Sequence, residues 1–179
     1  MPESRGDRDG RPHRPLKGCG ERDIEIAYLA DHEEAIGELA QWFYGEWSYL
    51  YPDKALDDVK NAIAERTNRD RVPMALVAFE GAVLAGTVCL KTHDMDTRLD
   101  LSPWLAGLYV AGPFRGRGIG TTLVKAVEQK AIGLGIRKLY LYTPSAEVFY
   151  LRLAWLTLEV TEYLGTNVTI MDKEMRARE

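Results

Sequence analysis

Between Leu108 and Val124 the chain reads LYVAGPFRGRGIGTTLV. An apolar run meets a Gly-Pro break, then Gly116, Gly118 and Gly120 alternate with Arg115, Arg117 and Ile119 before a helix-like segment begins. No other stretch restricts the fold so sharply, because a strand must end, turn tightly and feed a long helix. The first amides of a helix lack intrahelical partners and carry partial positive charge, so they attract anions. Glycines let a ligand approach the backbone where a side chain would intervene. Arg115 and Arg117 can add charge-assisted hydrogen bonds. A cradle for phosphate and a glycine-rich connection with solvated arginines both satisfy the loop by itself.

The flanking pattern supplies the rest of the fold. Ile24 to Leu29 alternates as a first strand, and Asp31 is placed to cap the helix that follows. There Ile36, Leu39, Ala40, Phe43, Trp47 and Leu50 recur at helical spacing as a core stripe. Pro52-Asp53 opens a second helix to about Arg66, with Leu56, Val59 and Ile63 inward. MALVAFE and AVLAGTVCL form a hairpin around Glu80-Gly81. HDMDTRLDLSP is a polar loop and WLAGLYVA a further strand. A helix from about Gly118 to Leu134 turns Leu123, Val124, Val127 and Ala131 inward and stops at Gly135. KLYLY, a short helix to Leu153 and a closing hairpin around Gly165 complete the order β-α-α-β-β-β-α-β-α-β-β. This predicts an α/β fold of the α+β type, with a mixed, mostly antiparallel central sheet flanked by helices.

At 179 residues, 46% hydrophobic and 28% charged, the chain suits one soluble domain. A net charge of −4 disfavours a general nucleic-acid binder. Residues 1–22 are polar and rich in Gly and Pro, so they read as a disordered tail, with the folded domain at 23–179. Arginines 5, 8, 11 and 14 in that tail are interspersed with acidic residues and solvation suffices for them. Neither a signal sequence nor a bilayer-long apolar run is evident, so no membrane partner and a cytoplasmic location are expected. Cys19 and Cys89 do not form a disulfide framework. The three histidines, His13, His32 and His93, make no metal-ligand pattern with them, so no metal is expected.

Two common phosphate loops do not match. A Walker-type loop needs Gly-Lys-Ser/Thr, and a dinucleotide fingerprint needs G-x-G-x-x-G followed by an acidic strand end. What remains is Arg115-x-x-Gly118-x-Gly120 at a helix start, and there the sequence resembles the GNAT superfamily of N-acetyltransferases. The element order from about Asp23 to Met175 is similar to that family, and LYLYTPSAEVFYLRLAWL resembles its second motif. The resemblance implies that acetyl-CoA is the co-substrate. It implies that Leu108, Tyr109 and Val110 pair with the pantetheine arm, and that Arg115, Gly116, Arg117, Gly118, Ile119, Gly120 and Thr121 hold the pyrophosphate. Tyr150 matches the frequent general acid. Thr143 stands on the coenzyme side where many members have Asn, and Ala154 replaces a usual Gly.

The implied reaction is direct attack of an amine on a thioester, with one proton to remove and one to supply. A tyrosine hydroxyl, neutral at pH 7, suits protonation of the leaving thiolate, although Tyr150 beside Phe149 also reads as a core aromatic. Glu46 is the best acidic candidate on the acceptor side. It is grouped with Trp42 and Tyr49 on the non-core face of the first helix, where solvent exposure is the plainer alternative. Asp94, Asp96 and Asp100 are weaker candidates, and Cys89 reads as packing. The acceptor is an amine-bearing small molecule, a protein N-terminus or a lysine; a homodimer stays open. Two rivals keep the same fold: a silent CoA-binding or sensing module, and an N-acyltransferase using another acyl-CoA.

Overall fold

The computed structural model describes residues 23–176. The proposed tail at 1–22, with Cys19 and His13, lies outside the described residues. Seven strands form one sheet: β1 Ile24–Tyr28, β2 Met74–Glu80, β3 Val83–Lys91, β4 Trp104–Val110, β5 Lys138–Thr143, β6 Leu156–Tyr163 and β7 Thr166–Glu174. Their spatial order is β1-β2-β3-β4-β5-β7-β6, antiparallel throughout except for the parallel neighbours β4 and β5. The helices are α1 Ile36–Trp47, α2 Leu56–Ala64, α3 Ile119–Gly133 and α4 Glu147–Leu151. The mixed, mostly antiparallel architecture agrees with the sequence.

Strand β2 shows why the sheet is covered on both faces. Met74, Leu76 and Ala78 point into one buried cluster with Leu123, Val124, Val127 and Ala131 of α3. The alternate residues Ala75 and Val77 point into a second cluster with Leu39, Ala40 and Phe43 of α1 and Ile63 of α2. A period of two, apolar on both sides, demands helices on both faces. Behind α3, buried Glu128 accepts from Lys173 Nζ at 2.8 Å and from Trp155 Nε1 at 2.9 Å, so the carboxylate enters the interior with its charge matched.

Several local expectations are corrected. Asp31 caps nothing; two 3-10 turns, Leu29–Asp31 and Glu33–Ala35, lead into α1 without a side-chain cap, and Asp31 pairs with Arg69. The second helix starts at Leu56 instead of Pro52, because the Asp58 carboxylate accepts the Ala55 N–H at 2.8 Å and fixes the first turn there. Leu56 is exposed rather than inward. The loop after β3 is polar by composition, yet Met95 and Leu101 are buried with Trp104, Tyr163, Val168 and Ile170 in a third cluster. Ala154, at the position where the resemblance expects Gly, still adopts the left-handed φ of 63°. For a residue with a Cβ that conformation costs roughly 1 kcal/mol.

Candidate active site

The site begins as a gap in the sheet. Strands β4 and β5 pair at Trp104 and Tyr140, and the Tyr140 N–H donates to Pro103 O at 3.1 Å. Beyond that point the two strands part, and one edge of β4 from Leu105 onward faces the gap. A bulge helps to bend β4: its register against β3 shifts between Thr87 and Cys89, where Gly107 has a φ of 58°. A Cβ on Gly107 would stand 3.0 Å from the Phe43 ring, so glycine answers both the backbone and the packing.

The gap is a cleft of about 300 Å³ lined by Leu108, Thr143, Phe149, Tyr150, Glu46 and Tyr49, among others. Beyond Leu108, the last β4 residue to line the cleft, the strand runs through a short turn, Gly112–Phe114, into the glycine loop and α3. Gly116 and Gly118 have φ of 74° and 80°, and nothing lies within 4 Å of a Cβ built on either. The loop therefore leaves its backbone open at the N-terminus of a 15-residue helix, as an anion cradle requires. Ile119 is buried, so only its amide is on offer, while Thr121 sits in the first helical turn. A Cβ on Gly120 would meet Phe149 of α4 at 3.6 Å, an ordinary contact, so α3 and α4 pack closely here without the space itself demanding glycine.

The two arginines are held back from the open loop. Arg115 Nε donates to Val110 O at 2.8 Å, and its guanidinium lies 5.5 Å from the Tyr109 ring centroid. Arg117 pairs with Glu80 at the end of β2 and lies over Phe114. Thr143 Oγ1 accepts the Ala146 N–H at 2.9 Å, so its oxygen shapes the turn into α4.

Tyr150 is brought into the cleft by that turn. Its ring packs edge-on to Phe149 and Trp155 at 4.9 and 6.1 Å. Burial pushes the Tyr150 phenol well above the ordinary tyrosine range. Tyr142 and Tyr163 are pushed up as well, first by burial and then, respectively, by Asp94 and Tyr51. Because these folded-state values exceed the unfolded reference of about 10, the unfolded chain releases the protons first. The resulting stability is intact below that pH and is lost progressively as pH rises above it towards the folded-state values. An alkaline titration should therefore show these phenolates emerging together with loss of circular dichroism; ionisation of all nine tyrosines in a still-folded protein would contradict it.

On the acceptor side, Glu46 is exposed near the end of α1, and Tyr49 sits beyond that helix in a 3-10 turn. Both line the cleft. Trp42 does not share their outward face: it is half-buried and stacks on Tyr109 at 5.1 Å, because Tyr109 offers it an aromatic partner on the sheet. A second pocket of about 190 Å³ opens between α1, α2 and the sheet. It shares Trp47, Leu50, Asp94, Gly107 and Tyr142 with the cleft. Lys54, Arg66 and Lys91 also line it, and sequence reading missed them because nothing in their local spacing marks them. Asp96 and Asp100 do not line either pocket, whereas Asp94 lines both. Cys89 is buried, as a packing residue would be.

Among the described residues no helix is long and apolar enough to cross a membrane. A family model described as the acetyltransferase (GNAT) family matches residues 36–154. Among solved structures, an aminoglycoside 6'-acetyltransferase type Ii is 21% identical with a TM-score of 0.66, over 87% of this chain and 99% of that one. An aminoglycoside 6'-N-acetyltransferase complexed with coenzyme A is 18% identical with a TM-score of 0.67, over the same shares of the two chains, 87% and 99%. The yncA protein of Salmonella typhimurium, solved with its cofactor acetyl-CoA, is 16% identical with a TM-score of 0.65, over 87% and 95%. At these identities the likeness carries the fold. No curated relative matches the chain.

Proposed function

The chain belongs to the acetyltransferase (GNAT) family, and on that premise we propose that it moves an acetyl group from acetyl-CoA to a primary amine by direct attack. The observation that carries this reading is the cleft itself: parted strands, Tyr150 on its wall and an open glycine loop beyond the end of β4. Acetyl-CoA supplies the activated thioester. Amides of residues 116–121 hold its pyrophosphate at the start of α3, with Arg115 and Arg117 adding positive charge nearby. The free edge of β4 at Leu108, Tyr109 and Val110 offers peptide groups to the pantetheine amides, as a missing strand would. Thr143 borders the same arm and keeps the α4 turn in shape.

Tyr150 holds its proton because its ring is buried, and it presents that proton to the sulfur as charge develops there. A dry site raises the proton affinity of a developing thiolate as it does that of the phenolate, so burial does not by itself disfavour the transfer. The amine also has to shed a proton. For a lysine-like amine this costs roughly 4–5 kcal/mol at pH 7, against about 1 kcal/mol for an α-amine. Glu46, with Tyr49 beside it, draws the ammonium to the cleft and accepts its proton. Trp42 acts at one remove, by bracing Tyr109.

The direct experiment incubates the folded protein and acetyl-CoA with a panel of amines, reading free-thiol release and the mass of the product. Acetyl-CoA that binds but yields no product with any amine would point to a silent module instead. Since Glu46 is exposed, its replacement by Gln should raise the acceptor KM about two- to fivefold, as expected for a solvated charge pair, and lower kcat through the lost proton acceptor. Acetyl-CoA affinity should stay unchanged. Unaltered acceptor kinetics would reduce Glu46 to a surface residue.

A further inference from the structure

The second pocket contains a cation without a matching anion. Arg66 follows the end of α2 and reaches back beneath α1. Its guanidinium lies 5.7 Å from the Phe43 ring centroid, and its Nη1 donates to Cys89 Sγ at 3.3 Å. A thiol is a weak acceptor, while a guanidinium carries five donors in a rigid fork. Among the described residues, Arg66 makes no ion pair.

The two carboxylates of the same pocket are already engaged. Asp94 Oδ1 accepts from Lys91 Nζ at 2.5 Å, and Asp58 accepts the Ala55 N–H that opens α2. Lys54 Nζ stands 4.9 Å over the Tyr51 ring and, among the described residues, forms no ion pair either. Lys54, Arg66 and Lys91 against Asp58 and Asp94 leave this pocket with a surplus of one positive charge, in a chain whose net charge is −4. A half-buried guanidinium beside an aromatic wall is suited to binding a planar oxyanion in its fork.

The pocket adjoins the cleft, with Trp47, Leu50, Asp94, Ala106, Gly107 and Tyr142 lining both, so one small acceptor can place a group in each. Resting on the transferase reading above, we propose that the acceptor carries an oxyanion, a carboxylate or phosphoryl group, which Arg66 binds while the amine enters the cleft. The acceptor class is then amino-acid-like. A polycation such as an aminoglycoside would meet Arg66, Lys54 and Lys91 as like charges, whatever the shared fold.

The test compares matched acceptors: amino acids against their own amides, and aminoalkyl phosphonates against the corresponding alkylamines. The wild-type protein should favour the anionic member of each pair by about tenfold or more in kcat/KM, the size of a charge-assisted pair. Arg66→Gln should bring the ratio close to one, mainly through the acceptor KM, with acetyl-CoA affinity unchanged. Arg66→Lys should retain part of the preference. The carboxylate and phosphonate arms identify which oxyanion the site takes. A wild-type preference for neutral or cationic amines overturns the inference and leaves the transferase reading intact. An unchanged ratio in a folded Arg66→Gln protein also overturns it. Calorimetric binding of amino acids, wild type against Arg66→Gln, judges the anion site without turnover. Failure to bind acetyl-CoA, by contrast, removes the transferase reading and with it the acceptor role, while the calorimetric comparison still judges the anion site by itself. The wild-type comparison stands even if an Arg66 variant does not fold.

Discussion

Replacing Gly118 by Asp should leave the protein folded and almost unable to bind acetyl-CoA. Gly118 is the residue immediately before α3, at a φ of 80°, with open space where a Cβ would project. Asp is among the residues that tolerate this backbone region best, and its carboxylate is a favoured partner for the first helical amides. Strain and capping thus offset one another, and the melting temperature should move little. Binding is a different matter, because the new carboxylate competes for the amides proposed to hold a pyrophosphate and repels it. Two unit charges about 4 Å apart near a protein surface interact by roughly 4 kcal/mol, close to a thousandfold in Kd. Gly118→Asn keeps the size and the backbone preference without the charge, so it separates repulsion from obstruction. Calorimetry on both variants checks the assignment; wild-type affinity in the Asp variant would remove the loop from the coenzyme site.

Tyr150→Phe should lower kcat by about 10²–10⁴-fold while leaving the acetyl-CoA KM nearly unchanged. The ring contacts with Phe149 and Trp155 survive the substitution. Stability should therefore change by no more than about 1 kcal/mol, the size of one hydrogen bond. A purely structural tyrosine predicts the reverse: a lower melting temperature and near-normal turnover. Single-turnover rates belong beside the steady-state ones, because slow product release would mask the loss of a proton donor. A residual rate is expected from water in the cleft, so the magnitude decides.

The regular elements were legible because their apolar periods were unambiguous. Met74 to Glu80 alternates under helices on both faces, and Gly81, Gly135 and Gly165 stand at turns with positive φ. The glycine loop was legible because its glycines and its helix are neighbours in sequence. Features that depend on distant partners were not. Asp31 looked like a cap because its partner, Arg69, lies 38 residues away. Met95 and Leu101 were hidden among charged neighbours, and their burial depends on β7. The bulge at Gly107 left only a glycine inside a strand as its mark. Trp42 reads as outward-facing because helical spacing does not register the aromatic ring of Tyr109 across the interface. Arg66 was invisible for the same reason: what distinguishes it is a half-buried place beside Phe43 and Cys89 with no ion pair among the described residues, a property of space and not of spacing.

The parting of β4 from β5 has a mechanical consequence. To either side of that seam the sheet is laced by directional peptide bonds, whereas across it the two flanks are held largely by side chains such as Trp104, Leu105, Leu139 and Tyr140. Directional bonds resist sliding until they snap, but apolar contacts are non-directional and let packed surfaces shift by fractions of an ångström at little cost. The seam is therefore the compliant line of an otherwise stiff plate. A long, thin guest can wedge into it and leave again without breaking a single rung of the ladder on either side.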